Sequence, residues 1–211
     1  MPRPREYPDD LRQQLLEAAA HLLATEGTEG LSTRRVSAAV GTSTNAIYRL
    51  WGSKPELVRA LYLEGFRRLG EQLDQVATTD DALADLRRLS DAYHASAVRN
   101  PEFYDVMFGS PVPGFCASPD DARFALSTLE VLIAGVARCV EAGELAGDPE
   151  AVALELWALN HGVTSLGLQG MLGDPDEVAG HLDRVLDAAL AGYRRLAAPT
   201  KAARPAPSRS A

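Results

Sequence analysis

Residues 44–50, TNAIYRL, sort into two chemistries. Ala46, Ile47 and Leu50 are apolar and fall on one side of a helix, while Thr44, Asn45, Tyr48 and Arg49 fall on the other. The amide of Asn45 can pair bidentately with adenine, and the guanidinium of Arg49 with guanine. The hydroxyls of Ser43, Thr44 and Tyr48 suit phosphate oxygens. Thr33 and Arg34 open the preceding helix and Lys54 the following one, where free backbone N–H groups also attract phosphate. The chemistry is base-edge reading flanked by backbone anchoring. A helical hairpin with a merely solvated polar face fits the same pattern, so these residues alone leave both readings open.

The elements that must position these groups are helical. Leu11, Leu15, Ala18, Leu22 and Ala19, Leu23 recur at helical spacing over about Asp10–Glu26, with Gly27 as the stop. Ser32 or Thr33 caps a helix over Arg34–Val40, Gly41 makes the turn, and Thr42 or Ser43 caps the next. Ser53 caps a long helix with Pro55 in its first turn. Further helices are expected at about 82–99 and 120–142, around a short aromatic segment, PEFYDVMFG, and a loop at 109–119. The last two are expected at 149–172 and 176–197. The first of these carries two apolar stripes and should be buried on both sides. Ala and Leu dominate over Val and Ile, and no alternating strand pattern occurs. The fold class is all-α with about nine helices. The reading unit spans 10–54 and a larger helical domain 55–197. Residues 1–9 are an arm, with Arg3 and Arg5 near DNA or simply solvated, and 198–211 are a disordered tail.

Charge confines any DNA contact to the start of the chain. The net charge is −8, which excludes nonspecific coating of nucleic acid. Residues 1–54 carry seven Lys+Arg against six Asp+Glu, or +1; residues 55–211 carry 14 against 23, or −9. Cys116 and Cys139 form no CxxC pair, and His21, His94, His161 and His181 show no ligand spacing, so neither a metal nor a cofactor is expected. Gly-rich phosphate loops, GxSxG and HExxH are absent, so an enzyme is not expected. Without a leader or an apolar run near 18 residues, a cytoplasmic protein with no membrane contact is expected.

The stretch YRLWGSKPEL removes the ambiguity at 44–50. Tyr48, Trp51, Ser53, Lys54, Glu56 and Leu57 stand in the order common at the end of the DNA-binding domain of tetracycline-repressor (TetR) family regulators. LSTRRVSAAVGTSTNAIY upstream matches the family's Thr, hydrophobics and Gly turn. The chain resembles that family over about residues 10–57. The resemblance implies phosphate contacts for Tyr48 and Lys54, and positions 43–45 and 49 near bases. It departs at Asn45, where a small residue is common, and at Pro55, where an acid is. WALNHG, from Trp157 to His161–Gly162, resembles the Trp…His–Gly signature of one C-terminal subclass. The resemblance implies a homodimeric regulator of double-stranded operator DNA, a repressor by default, released by a small-molecule effector.

Aromatic residues with Met suit an adaptable apolar pocket, which places the effector among Tyr93, Phe103, Met107, Phe108, Trp157 and His161. Ordinary core packing of the same side chains, with His161 satisfied by a carbonyl, stands beside that reading. The last two helices are the expected dimer contact, through small residues Ala158, Gly162, Gly167 and Gly170. Two reading heads must then sit about 34–36 Å apart to enter successive major grooves.

Overall fold

The computed structural model describes residues 9–109 and 112–197. The arm with Arg3 and Arg5 and the tail from residue 198 lie outside the described residues. Among those, nine helices and no strand occur: α1 Asp9–Gly30, α2 Thr33–Ala39, α3 Thr44–Trp51, α4 Lys54–Asp74, α5 Ala82–Arg99, α6 Pro101–Phe108, α7 Pro119–Glu141, α8 Pro149–Leu168 and α9 Pro175–Ala197. None is long and apolar enough to cross a membrane.

Local chemistry fixes the boundaries. α1 is interrupted at Gly27, the expected stop, and resumes for one turn to Gly30. The Ser32 hydroxyl accepts from the Arg35 N–H and the Ser53 hydroxyl from the Glu56 N–H, capping α2 and α4. Ser43 occupies the N-cap position of α3 but makes no side-chain capping bond. Gly41 (φ 70°) and Gly52 (φ 76°) bracket α3 with left-handed turns that a side chain would strain. Asp81 caps α5, and Ser118 forms a capping box with Asp121 at α7. α8 ends at Leu168, four residues before the expected end, because the chain turns at Gly170 (φ 71°).

Three apolar clusters hold the helices together. The first joins Leu15, Leu16, Ala19 and Leu23 of α1 to Val36, Ile47, Leu57, Val58 and Leu61, and also takes Phe103 and Val106 from α6. The second joins Leu86, Val136, Cys139, Val152, Leu156 and Leu190. The third joins Phe66, Leu69, Leu73, Leu89, Tyr93 and Tyr104. Each fully buried leucine contributes about 1.5–3 kcal/mol.

Buried acids tie these clusters together. Glu64 accepts from Gln13 Nε2 at 3.0 Å, from Arg67 and from Arg68, and Arg68 continues to Asn100 at 2.7 Å. Burial alone would raise the Glu64 carboxyl, but the bonds from Arg67, Arg68 and Gln13 outweigh it and hold it at about 2. Asp121 of α7 takes a bidentate contact from Arg59 of α4, 2.8 and 3.0 Å from Nε. Asp85 gathers Thr79, Arg88 and Arg138, and the Thr79 backbone bond and the Arg138 guanidinium lower its carboxyl.

One expectation for α8 fails. Val152 and Leu156 are buried on one side, but Leu154, Leu159 and Leu166 are 42%, 40% and 41% exposed. The chain itself covers one side of this helix only.

Candidate functional site

The reading segment follows from its inward residues. Ala46 and Ile47 are fully buried in the first cluster, with Leu50 and Trp51 packed at its edge. Burying that side turns the opposite side outward. Asn45, Tyr48 and Arg49 are exposed there, Tyr48 by 50%. Ser43 is exposed at the helix entrance, and Thr44 is half-buried beside it. Thr33 is half-buried as the first residue of α2, followed by exposed Arg34. Lys54, the first residue of α4, is exposed. The neighbouring Arg35 is instead ion-paired with Glu26. Arg12 lies 5.9 Å over the Trp51 ring and braces the end of α3 against α1. The segment presents hydroxyls, one amide, a phenol and cations without a carboxylate among them, a set of groups chemically suited to phosphates and base edges.

A cavity of about 340 Å³ lies between α4, α5, α6, α7 and α8, with Leu186 of α9 reaching its wall. Tyr93, Met107, Phe108 and Trp157 line it. Phe103 and His161 do not. The Phe103 ring is 3% exposed in the first cluster, with the Arg68 guanidinium 4.1 Å from its centroid. It sits on the α1 side of α6, facing away from the cavity that Met107 and Phe108 enter. His161 stands behind the cavity wall. Its Nδ1 is 2.7 Å from the Tyr104 hydroxyl and 3.0 Å from the Tyr93 hydroxyl. Either phenol can donate to Nδ1 or accept from it, so the three groups form one shared hydrogen-bond network behind the wall. Burial lowers the His161 pKa, keeping the ring neutral, and burial raises both phenols. The imidazole faces a separate cleft of about 290 Å³ with Asp105, Ser165 and Gln169.

Several lining residues escaped the sequence reading. Tyr62, Phe66 and Leu69 of α4 and Leu129 and Leu132 of α7 form most of the long walls. Their stripes were visible as helical periodicity, but periodicity does not tell a side chain that fills a core from one that borders a void. Asn160 and Ser90 are the polar insertion. Asn160 Nδ2 donates to Ser90 O at 3.1 Å and to Ser90 Oγ at 2.7 Å, and its Oδ1 accepts from Thr164 at 3.2 Å. Asn160 lies about one helical turn from Trp157 on α8, and both line the cavity.

Comparison with known proteins meets this geometry. Residues 15–61 match the family described as bacterial regulatory proteins, tetR family, and residues 86–202 match the tetracyclin repressor-like C-terminal domain, more than half of the chain. The HTH-type transcriptional regulator Rv1816 of Mycobacterium tuberculosis is 30% identical over 121 residues, 55% of this chain and 51% of that protein. The HTH-type transcriptional repressor AcnR of Corynebacterium glutamicum is 32% identical over 102 residues, 48% of each. The matched part of the chain thus spans about half the length of these curated relatives. A protein with unknown function from Rhodococcus sp. RHA1 superposes with a TM-score of 0.75 at 27% identity, over 92% of this chain and 100% of that one.

Proposed function

The chain belongs to the tetracycline-repressor (TetR) family of DNA-binding transcriptional regulators, and on that premise we propose that it is a homodimeric repressor released from its operator by a small, mainly apolar effector. Residues 10–54 read DNA in this proposal, and 55–197 bind effector and pair the subunits. Tyr48 and Lys54 contact phosphates, with Thr33 and Arg34 beside them. Ser43, Thr44, Asn45 and Arg49 approach the bases. AcnR, a relative named a repressor, supports that direction of control.

The observation that carries the reading is the double attachment of α6. Its Phe103 and Val106 belong to the reading unit's core, and its Met107 and Phe108 to the cavity wall. A molecule that displaces Met107 or Phe108 shifts a helix on which the reading unit is packed. An effector acts to the extent that it favours one head spacing over another. Pairing is assigned to the uncovered side of α8, where Leu154, Leu159 and Leu166 lie, together with α9.

Operator pull-down from the protein's own genome, followed by gel-shift titration across salt, tests the reading. Arg49→Ala should relax sequence preference by about 1–3 kcal/mol at one base pair. Recovery of no enriched sequence, or equal affinity for recovered and scrambled duplexes, would refute it.

A further inference from the structure

One charge on α1 stands where an apolar side chain belongs. Leu15, Leu16, Ala19 and Leu23 form the buried stripe of this helix, each at most 3% exposed. At about 100° per residue, Arg12 falls within about 20° of Ala19 and Leu23, and between Leu15 and Leu16. It continues the stripe one turn before Leu16 instead of lying on the solvated side. Helical side chains lean toward the N-terminus of their helix, so Arg12 reaches beyond the core that the stripe covers, and it is exposed. Its guanidinium lies 5.9 Å over the centroid of the Trp51 ring. Trp51 is the last residue of α3, three positions after Tyr48, and the turn through Gly52 and Ser53 leads directly to Lys54. The stripe of α1 thus delivers a cation to the end of the reading helix, where that turn begins.

That cation is uncommitted. Arg12 takes no hydrogen bond and no carboxylate among the described residues. Nearby arginines are placed otherwise: Arg35 pairs with Glu26, and Arg59 with Asp121. On α1 itself, Asp10 accepts from Gln14 and Glu17 from Arg68. Stacking engages the face of the guanidinium and leaves its in-plane N–H groups free to donate. The ring beneath it makes no hydrogen bond of its own, because Trp51 Nε1 is buried without a partner among the described residues. Burying that N–H carries a cost that a phenylalanine would avoid, whereas an indole is the best aromatic seat for a cation. Stability alone does not call for Arg12. An aliphatic side chain would cover the same ring without adding positive charge to a surface that already carries Arg49 and Lys54.

We infer that Arg12 is a further anchor for the DNA backbone: stacked on Trp51, its guanidinium donates to a phosphate beside those met by Tyr48 and Lys54. The inference rests on the DNA-contact reading above and extends it to α1, outside 33–54. A guanidinium–phosphate contact carries no base preference. What it adds is register. Arg12 belongs to α1 and Trp51 to α3, so one phosphate fixes both helices against the duplex.

Titration of the full chain with the recovered operator and with a scrambled duplex, each across a range of salt, tests this. Arg12→Met keeps an aliphatic stem over Trp51 and removes the charge. It should melt within about 3 °C of the unaltered protein and bind both duplexes about three- to tenfold more weakly. The slope of log affinity against log salt should fall by about one per reading head. Arg12→Lys should keep the slope and lose about two- to threefold in affinity, since an ammonium makes the phosphate contact without the fork. An Arg12→Met protein with native affinity and native salt slope overturns the inference and leaves Arg12 as a brace only. A loss confined to the operator, with the slope unchanged, overturns it too. Lys54→Ala run alongside separates the two levels. A slope lowered by Lys54→Ala but not by Arg12→Met defeats Arg12 alone, and a slope unmoved by either defeats the DNA-contact reading with it.

Discussion

The reading segment and the cavity are built in opposite ways. Every residue proposed for DNA contact apart from Arg12 lies within 33–54, on or beside short helices whose inward faces are fixed by Val36, Ile47 and their neighbours in one cluster. The cavity draws on side chains from six helices, from Tyr62 to Leu186. The first is a local device: a turn, a cap and a helix face place its groups. The second exists only after distant helices have packed, and its character comes from what the packing leaves unfilled. Surface chemistry can thus be specified by neighbours in sequence, whereas a void is a property of the whole bundle.

The sharpest way to break the comparison is at Phe103. Although α6 lies in the larger half, this ring belongs to the first cluster, and Phe103→Ala should cost about 3–5 kcal/mol. Thermal unfolding and DNA affinity should both fall, with little change in the ligand profile of the remaining folded protein. A loss confined to ligand binding would place the ring functionally in the cavity. Next is Glu64, whose partner Gln13 lies on α1. Its carboxyl is depressed to about 2 from an ordinary 4.5, so it contributes stability above pH 4.5 that is lost as pH falls toward 2. That contribution is on the order of 2 kcal/mol. Glu64→Gln should lower stability at pH 7 and flatten the acid limb of the unfolding curve between about pH 4.5 and 2. An unchanged limb would remove Glu64 as the tie.

Smaller effects sharpen the contrast. Tyr48→Ala and Lys54→Ala should each weaken binding to operator and decoy DNA alike by about 1 kcal/mol, and Lys54→Ala should reduce the salt slope by about one. Ligand affinity should not move. Trp157→Ala should do the converse, altering ligand affinity while leaving DNA affinity without ligand within about twofold. A double loss in either variant would mean the two regions are not separable. The smallest effect is expected at the exposed pair Arg123–Asp120, where Asp120→Ala should change stability by less than about 0.5 kcal/mol.

The same contrast explains what the residues disclosed on their own. The helix order, the caps at Ser32 and Ser53, and the outward set on α3 all rest on contacts within a few positions, which composition and periodicity express directly. Spacing could not say whether Phe103 and His161 border the cavity, because an aromatic on a helix faces either a filled core or a void, and both environments select the same residue types. Phe103 and Tyr104 are adjacent, yet one belongs to the first cluster and the other to the third. Only the angle at which α6 lies across α4 decides between them. Leu159 and Leu166 went astray for a related reason: an apolar stripe records that something covers it, without recording which molecule does.

The membership of Phe103 and Val106 in the first cluster has a practical side for anyone assembling hybrid switches. A reading head excised after Lys54 leaves behind Leu57, Val58 and Leu61 as well as both α6 residues, so the seam at the start of α4 runs through the middle of a hydrophobic core. Transplanting the head onto a foreign sensor requires carrying the first two turns of α4 and matching the α6 surface that meets α1. Reshaping the cavity asks for less: Leu73, Leu86 and Leu132 of its wall lie outside that seam, and changing them leaves the graft junction untouched.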